Sequence, residues 1–309
     1  MTTPEAGQHE RLRVTVLRGG PSAERAVSLE SGAAVAEALR ACGHAVFAAD
    51  ISPDDLSALD QPADVIFPVL HGTFGEDGQL QQIMEERGLR FVGSGSAASA
   101  AAMDKIISKQ RVRALGLATP AYEEWTAADR EVRATRLELP VVVKPADQGS
   151  SVATFVVRRN DDFAAAVDAV VSAFGRALVE QFISGDELTV GIVGTQALPT
   201  ICVRPRRAFY DYTAKYEDNA TEYLFDAGHP AALLDEAQRK SCAVFEALGC
   251  RHLARVDWMV DKAGTLWFLE VNTIPGFTSH SLVPKAAAYV GVPFGELVER
   301  LVRMAWTNS

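Results

Sequence analysis

Over the first hundred residues, short apolar runs alternate with stretches whose apolar positions recur every three or four residues. The runs at 13–17 (R-V-T-V-L), 45–51 and 65–70 predict strands. Val35, Ala38, Leu39 and Cys42 predict an amphipathic helix over 28–42, and Leu80, Ile83 and Met84 predict one over 78–87. This β-α-β-α order implies a parallel sheet covered by helices. A helix over 96–116, Ala-rich and then basic, ends at the punctuation of Gly116 and Pro120. A second, β-rich unit follows, with strands over 141–144, 152–158, 177–183 and 187–193 and a helix over 161–174 between them. The third unit has a long connection over 199–229, a helix over 233–248, a hairpin, and helices from Ser281 onward. There is no internal repeat and no low-complexity tract.

The hairpin is the most informative element. Strands over 253–260 and 265–272 flank Asp261-Lys262-Ala263-Gly264. With Lys262 and Ala263 as the turn, Arg255 falls opposite Glu270. Alternation then puts Val256, Trp258, Val260, Trp267, Leu269 and Val271 on one uniformly apolar face, which belongs to a core. The other face gathers Arg255, Asp257, Glu270 and Asn272 at the end away from the turn. Two carboxylates and an amide oxygen on neighbouring strands form an oxygen-donor set suited to Mg²⁺. The same face also reads as a solvated salt bridge. The clustering and the sequel T-I-P-G (273–276) favour the metal.

Composition changes this picture only by exclusion. The chain has 309 residues, 48% apolar and 23% charged, an ordinary globular balance that suggests about two domains at ~150 residues each. A net charge of −10 disfavours broad binding to nucleic acid, whose affinity comes from phosphate neutralisation. No apolar run approaches the ~18 residues of a membrane span, and the polar start at 1–13 does not read as a signal peptide. The four cysteines form no C-x-x-C pair, so reduced thiols and a cytoplasmic location are expected.

Neither G-x-x-x-x-G-K-[ST] nor a post-strand G-x-G-x-x-G occurs, so a bound nucleotide needs another cradle. K-P-A-D-Q-G-S-S (144–151) joins two predicted strands and offers a lysine, hydroxyls, and backbone N–H groups made accessible by Gly149, a set suited to phosphate oxygens. By itself it also reads as a plain polar hairpin loop. G-G-P-S-A-E-R (19–25) sits at the carboxyl end of the first strand, where open α/β sheets bind ligands. D-Y-T-A-K-Y (211–216) lies in the long connection, as a lid would. H-G-T-F-G-E-D-G (71–78) ends another strand. Each of the three has an ordinary structural reading when taken singly.

Together they are not independent. From about Arg13 to Ala305 the chain resembles the D-alanine–D-alanine ligases of the ATP-grasp superfamily. The shared landmarks run in family order: the three stretches above, G-S-G-S-A-A-S-A-A-A-M-D-K (93–105), V-K-P-A-D-Q-G-S-S-V (143–152), R-V-D (255–257) and E-V-N-T-I-P-G-F-T-S-H-S-L-V-P (270–284). There are two departures: Arg18 precedes the paired glycines, and Ala153 stands where the family usually has glycine.

The resemblance implies an α/β ATP-grasp fold with an open parallel N-terminal domain (1–105), a central α+β domain (106–190) and a C-terminal α+β domain (191–309). It implies ATP-driven joining of two D-alanines through an acyl phosphate, for peptidoglycan precursor synthesis. The alternatives are a D-alanine–D-lactate or D-alanine–D-serine ligase, or a non-catalytic nucleotide-binding regulator. By match to the family, Asp257, Glu270 and Asn272 hold two Mg²⁺ (Mn²⁺ being the other candidate ion). Lys105, Lys144 and Lys215 contact ATP phosphates, and the Ser150-Ser151 loop closes over them. Glu180, Gln181, Phe182, Ile183 and Phe209 surround the base, with Glu187 on the ribose. Arg255 and the Gly276 N–H face the tetrahedral oxyanion, while Glu24 takes the first ammonium and His71 lies near that substrate. Ser281 and the Leu282 N–H receive the second carboxylate, and Tyr216 bonds toward Ser150 and Glu24 from the lid. A homodimer is the implied assembly, with no nucleic-acid or membrane partner.

Overall fold

The computed structural model describes residues 10–129, 131–132, 134–150, 152–204, 221–225, 227–278 and 281–307. Three sheets organise them. The first is parallel, in the order β2 (Ala45–Ile51), β1 (Arg13–Gly19), β3 (Val65–Pro68). The second is antiparallel, in the order β4 (Tyr122–Thr126), β7 (Arg176–Gln181), β5 (Val141–Pro145), β6 (Phe155–Val157). The third runs β11 (Glu222–Leu224), β10 (Ile201–Arg204), β8 (Gly185–Val193), β12 (Leu253–Asp261), β13 (Leu266–Asn272), with β9 (Gln196–Ala197) pairing β8. The expected domain boundary at 190/191 falls inside β8, all nine residues of which pair with β12.

The first sheet carries α1 (Arg25–Ala41) through Val35 and Leu39, as the sequence pattern requires, and through Ala36; Ala38 is only partly buried, and Cys42, expected on the same face, lies just past the helix and is exposed. The same core also holds Leu297, Val298, Leu301 and Val302 of the last helix, α8 (Phe294–Thr307). Phe277 meets Phe67 edge-on at 5.4 Å, and His44 Nε2 lies 2.5 Å from Glu299 Oε2. The chain's end therefore closes the core that its beginning opens. On the other side, α2 (Gln79–Glu86) contributes Leu80 and Met84 to a core with Leu17, Ile66 and Phe91.

The helix expected over 96–116 is two helices, α3 (Ser96–Met103) and α4 (Lys105–Ala114). Asp104 between them has an extended backbone (ψ 103°), and its Oδ1 accepts from the N–H groups of Ile106 and Ile107 at 2.9 and 3.0 Å. An N-cap inside an apparent helical run ends one helix and starts another, a reading that periodicity alone cannot supply. The break places Lys105 in a first turn, with its N–H bonded to the Ala146 carbonyl of the neighbouring unit at 2.9 Å.

β4, β10 and β11 were not predicted. Y-E-E-W-T is polar because β4 is an edge strand, and the 199–229 connection contains two short strands. α5 (Asn160–Phe174) crosses the second sheet, with Phe163 meeting Trp125 at 5.1 Å. α6 (Ala231–Leu248) covers the third sheet through Ala237, Val244, Phe245 and Leu248. α7 is Leu282–Tyr289. Among the described residues no helix is long and apolar enough to cross a membrane.

Ala153 has φ +48°, the left-handed conformation that glycine adopts without steric cost. The family's usual glycine thus fits the backbone that this chain builds with alanine. Ala153→Gly relieves about 1 kcal/mol of backbone strain but frees the unfolded chain by a similar amount and loses a methyl contact. A net change in stability below about 1 kcal/mol is expected, read as the urea midpoint with turnover unchanged. A larger loss would show that the methyl holds the serine loop in place.

Candidate active site

The polar face of the hairpin forms as expected, but its register differs. Arg255 faces Asn272 and Asp257 faces Glu270, so the expected Arg255–Glu270 pairing is wrong by two residues. Two features cause this. The connection is longer than a two-residue turn: Asp261 Oδ1 accepts from the N–H groups of Ala263 and Thr265, both at 2.9 Å. Leu269 is then an extra residue, because pairing passes from Asp257–Glu270 directly to Trp258–Phe268. The bulge turns Trp267 and Leu269 off the core face, which Leu266 and Phe268 complete instead. Leu269 joins Met259 as apolar lining of a cavity beside the polar face.

Two cavities meet along that face, of about 460 and 380 Å³, and Lys105, Glu187, Asp257 and Glu270 line both. Buried Asp257 accepts from Arg255 (Nη2–Oδ2 2.8 Å, Nε–Oδ1 2.9 Å) and from Thr189 Oγ1 at 2.5 Å. Lys105 Nζ lies 3.3 Å from Glu270 Oε2 and donates to the Gln148 carbonyl at 2.6 Å. Asn272 Oδ1 accepts from the Ile274 N–H at 2.9 Å. Three oxygen donors from facing strand positions match a hard divalent cation. Both carboxylates already draw a side-chain cation, as expected where the fold demands positive charge, so the donor set fits Mg²⁺.

The smaller cavity is walled by Gln181, Phe182, Ile183 and Val142, and its back is an ionic triad. Glu180 is buried with Oε2 2.9 Å from Lys109 Nζ and Oε1 2.5 Å from Lys144 Nζ. Burial opposes ionisation of Glu180, but the two ammonium groups overcome it and hold the carboxyl at about 2. Burial also opposes charge on Lys144; the carboxylates of Glu180 and Glu270 outweigh it and raise the group. Lys109 is the fully enclosed member. Burial, with the like charge of Lys144, lowers it to about 8 despite Glu180. Its Nζ also donates to Thr119 Oγ1 at 2.9 Å and to the Phe268 carbonyl at 3.2 Å.

The larger cavity collects the other predicted residues. Glu24 stands just before α1, free of helix capping, and accepts a hydrogen bond from Ser150 Oγ. Buried His71 has Nδ1 3.5 Å from Glu76 Oε2, while its Nε2 has no hydrogen-bond partner among the described residues. Burial opposes charge on His71, and the carboxylates of Glu76 and Glu24 more than compensate, so its pKa is raised. Gly276, Ser281 and Leu282 line the opposite wall. A Cβ on Gly276 would come within 2.6 Å of Ser281 Oγ, so only glycine fits this corner without displacement. Ser281 Oγ in turn accepts from the Thr278 N–H at 3.0 Å, fixing the entry into α7.

Ser151, Phe209, Lys215 and Tyr216 lie outside the described residues, as does nearly all of the expected lid. Sequence reasoning missed Lys109, Glu76, Thr189 and the Met259–Leu269 lining. The i, i+4 spacing of Lys105 and Lys109 hinted that both face one side of a helix, but nothing local marks Lys109 as buried.

Comparison with known proteins adds a third line. Residues 53–94 match the family model described as D-ala D-ala ligase N-terminus, and 112–303 match the D-ala D-ala ligase C-terminus. The chain is 43% identical over 294 residues to a D-alanine–D-alanine ligase of Syntrophotalea carbinolica, covering 95% of this chain and 96% of the relative. It is 44% identical over 288 residues to one of Ectopseudomonas mendocina, covering 93% and 92%. Two solved structures are also similar, each with a TM-score of 0.85. The VanG D-Ala:D-Ser ligase from Enterococcus faecalis is 27% identical, with 96% of this chain and 100% of that one covered. The D-alanine-D-alanine ligase from Coxiella burnetii is 26% identical, with 97% and 95% covered.

Proposed function

From the premise that the chain belongs to the D-alanine–D-alanine ligase family, we propose how its own residues divide the work of the two cavities. The chain has the ATP-grasp fold and is an ATP-dependent ligase that joins two D-alanines to D-alanyl-D-alanine, with Mg²⁺. The ligation belongs to peptidoglycan precursor synthesis and proceeds through an acyl phosphate on the first D-alanine. The observation that carries the assignment is the junction itself: Asp257 and Glu270 line both the apolar-walled cavity and the polar one.

The smaller cavity takes the nucleotide. Its base lies between the Gln181–Ile183 strand end and Met259 with Leu269, and Glu187 meets the ribose. Lys105 and Lys144 neutralise phosphate oxygens, which is the main protein contribution to phosphoryl transfer. Ser150 and Ser151 cover them, and the family match adds Lys215 and Phe209. Asp257, Glu270 and Asn272 hold two Mg²⁺, which supply charge neutralisation at the transferring oxygens. Mn²⁺ suits the same oxygen donors.

The larger cavity takes the amino acids. Glu24 holds the first ammonium, and His71, which lines the same cavity, lies near that substrate. Arg255 and the Gly276 N–H stabilise the oxyanion formed when the second amine attacks. Ser281 and the Leu282 N–H, at the start of α7, receive the second carboxylate where the helix end favours an anion. By the family match alone, Tyr216 is assigned to bond toward Ser150 and Glu24. The proposal extends to three domains, the third including the whole of β8, to a homodimer and to a cytoplasmic location.

ADP release with D-alanine as the sole amino acid tests the reading. D-alanyl-D-alanine in equal amount to ADP is the expected product. ADP that appears only when D-serine or D-lactate is added would overturn it.

A further inference from the structure

β8 alternates between two environments. Glu187 lines both ligand cavities and Thr189 bonds to Asp257 on that side, while Leu188, Val190 and Ile192 face the core under α6. Alternation puts Asp186 on that second, apolar face. There it meets two other unusual neighbours at the open end of the core. Cys202 on β10 pairs with Leu188, shares the core face and is 1% exposed. His229 immediately precedes the cap of α6, with Nε2 3.0 Å from Asp186 Oδ2. That Nε2 is buried and has no hydrogen-bond partner among the described residues, so the close carboxylate does not satisfy it. One carboxylate oxygen, one thiol sulfur and one imidazole nitrogen, from three separate elements, lie within 4.8 Å of one another.

We propose that Asp186, Cys202 and His229 form a binding site for a thiophilic divalent cation, Zn²⁺ being the natural fit, separate from the Mg²⁺ donors on the hairpin. Mixed S, N and O donors select zinc over magnesium, which takes oxygen ligands and near-octahedral geometry. Three protein ligands leave a fourth tetrahedral position for water. Zinc bonds of about 2.0–2.3 Å place ligand atoms about 3.3–3.8 Å apart, so the Asp186–His229 pair, at 3.0 Å, opens slightly while the separations to Cys202, at most 4.8 Å, close within reach of side-chain rotation. Arg204, 4.0 Å from Asp186 Oδ2 and half exposed, turns outward to water when the cation takes the carboxylate.

Binding is a proton exchange: the Cys202 S–H bond breaks, a sulfur–zinc bond forms, and one proton leaves to solvent. A thiol without metal keeps its proton near neutral pH, and that proton is the one released. The bound ion would tie β8, β10 and the segment entering α6 together, at the wall of the nucleotide cavity, which Asp186 and Arg204 also line.

Cobalt serves as the spectroscopic probe. The full chain, with millimolar Mg²⁺ present to fill the hairpin site, is titrated with Co²⁺ and the thiolate-to-cobalt charge-transfer band is followed. One equivalent of band-forming Co²⁺ per chain is expected, displaced by Zn²⁺ with release of one proton. Cys202→Ser should abolish the band. His229→Gln, in a connection outside the sheet, should weaken cobalt binding at least tenfold, and Cys42→Ser should leave both band and affinity unchanged. ADP formation with Mg²⁺ alone reports that each variant is folded. Absence of the band in the parent chain, or its survival in both Cys202→Ser and His229→Gln, would overturn the site.

Discussion

Replacing Glu270 by Gln is expected to lower turnover by a factor on the order of 10² or more while the fold persists. The side chain faces Asp257 across the ladder, and its carboxylate lines both cavities. Glutamine keeps the shape but removes one of the two negative charges that recruit Mg²⁺ to the transferring phosphoryl group. A hundredfold loss corresponds to about 2.7 kcal/mol of transition-state stabilisation, within the several kcal/mol such ions supply. The fold is spared because the position is partly solvated and Lys105 keeps its bond to the Gln148 carbonyl. The measurement is ADP release across a Mg²⁺ titration, with thermal denaturation in parallel. Near-normal turnover at saturating Mg²⁺ would remove Glu270 from the donor set.

Replacing Glu180 by Ala should instead damage the fold. It leaves Lys109 and Lys144 buried beside one another without their shared carboxylate. Breaking a buried ion pair from one side costs about 3–5 kcal/mol, because the remaining charge has no compensation. Glu180→Gln separates charge from volume. The carboxyl is held at about 2 against an ordinary 4.5, so its contribution is complete above pH 4.5 and is lost as pH falls toward 2. That contribution is on the order of 3 kcal/mol. Urea denaturation between pH 2.5 and 7 should therefore show a steeper acid limb in the parent than in Glu180→Gln. Lys109 has the same slope in a different window: its pKa is lowered from 10.5 to about 8, so stability again rises with pH between those values, whereas near neutral pH its enforced charge counts against the fold. Identical acid limbs in the parent and Glu180→Gln would show that the triad does not carry the charge balance of the fold.

The two predictions differ in how legible their residues were. Glu270 and Asp257 stand on one face of a hairpin that alternation makes visible, because strand geometry projects side chains with a period of two. Even there, the pairing of Arg255 with Glu270 failed. A bulge at Leu269 inserts one residue without leaving a local signature, and it swaps Trp267 and Leu269 for Leu266 and Phe268 in the core. Glu180 was placed at the nucleotide site by motif resemblance. Its bond to Lys109 joins residues 71 positions apart and is invisible to any short window.

Local pattern reports which side of a segment is apolar, since that depends only on the segment's own period. On those terms the sequence by itself determined the β-α-β-α opening, the polar hairpin face, the serine loop between strands and, through ordered motifs, the family. It could not determine which remote segment covers which face, because apolar surfaces attract without direction. Only the tertiary structure decided that α8 seals the first sheet, that Asp104 interrupts a helix to set Lys105 against the Ala146 carbonyl, and that Lys109 is buried against Glu180. The same holds for Asp186, Cys202 and His229. Each is unremarkable in its own stretch of chain, and they converge because β8, β10 and the entry to α6 are held side by side by packing.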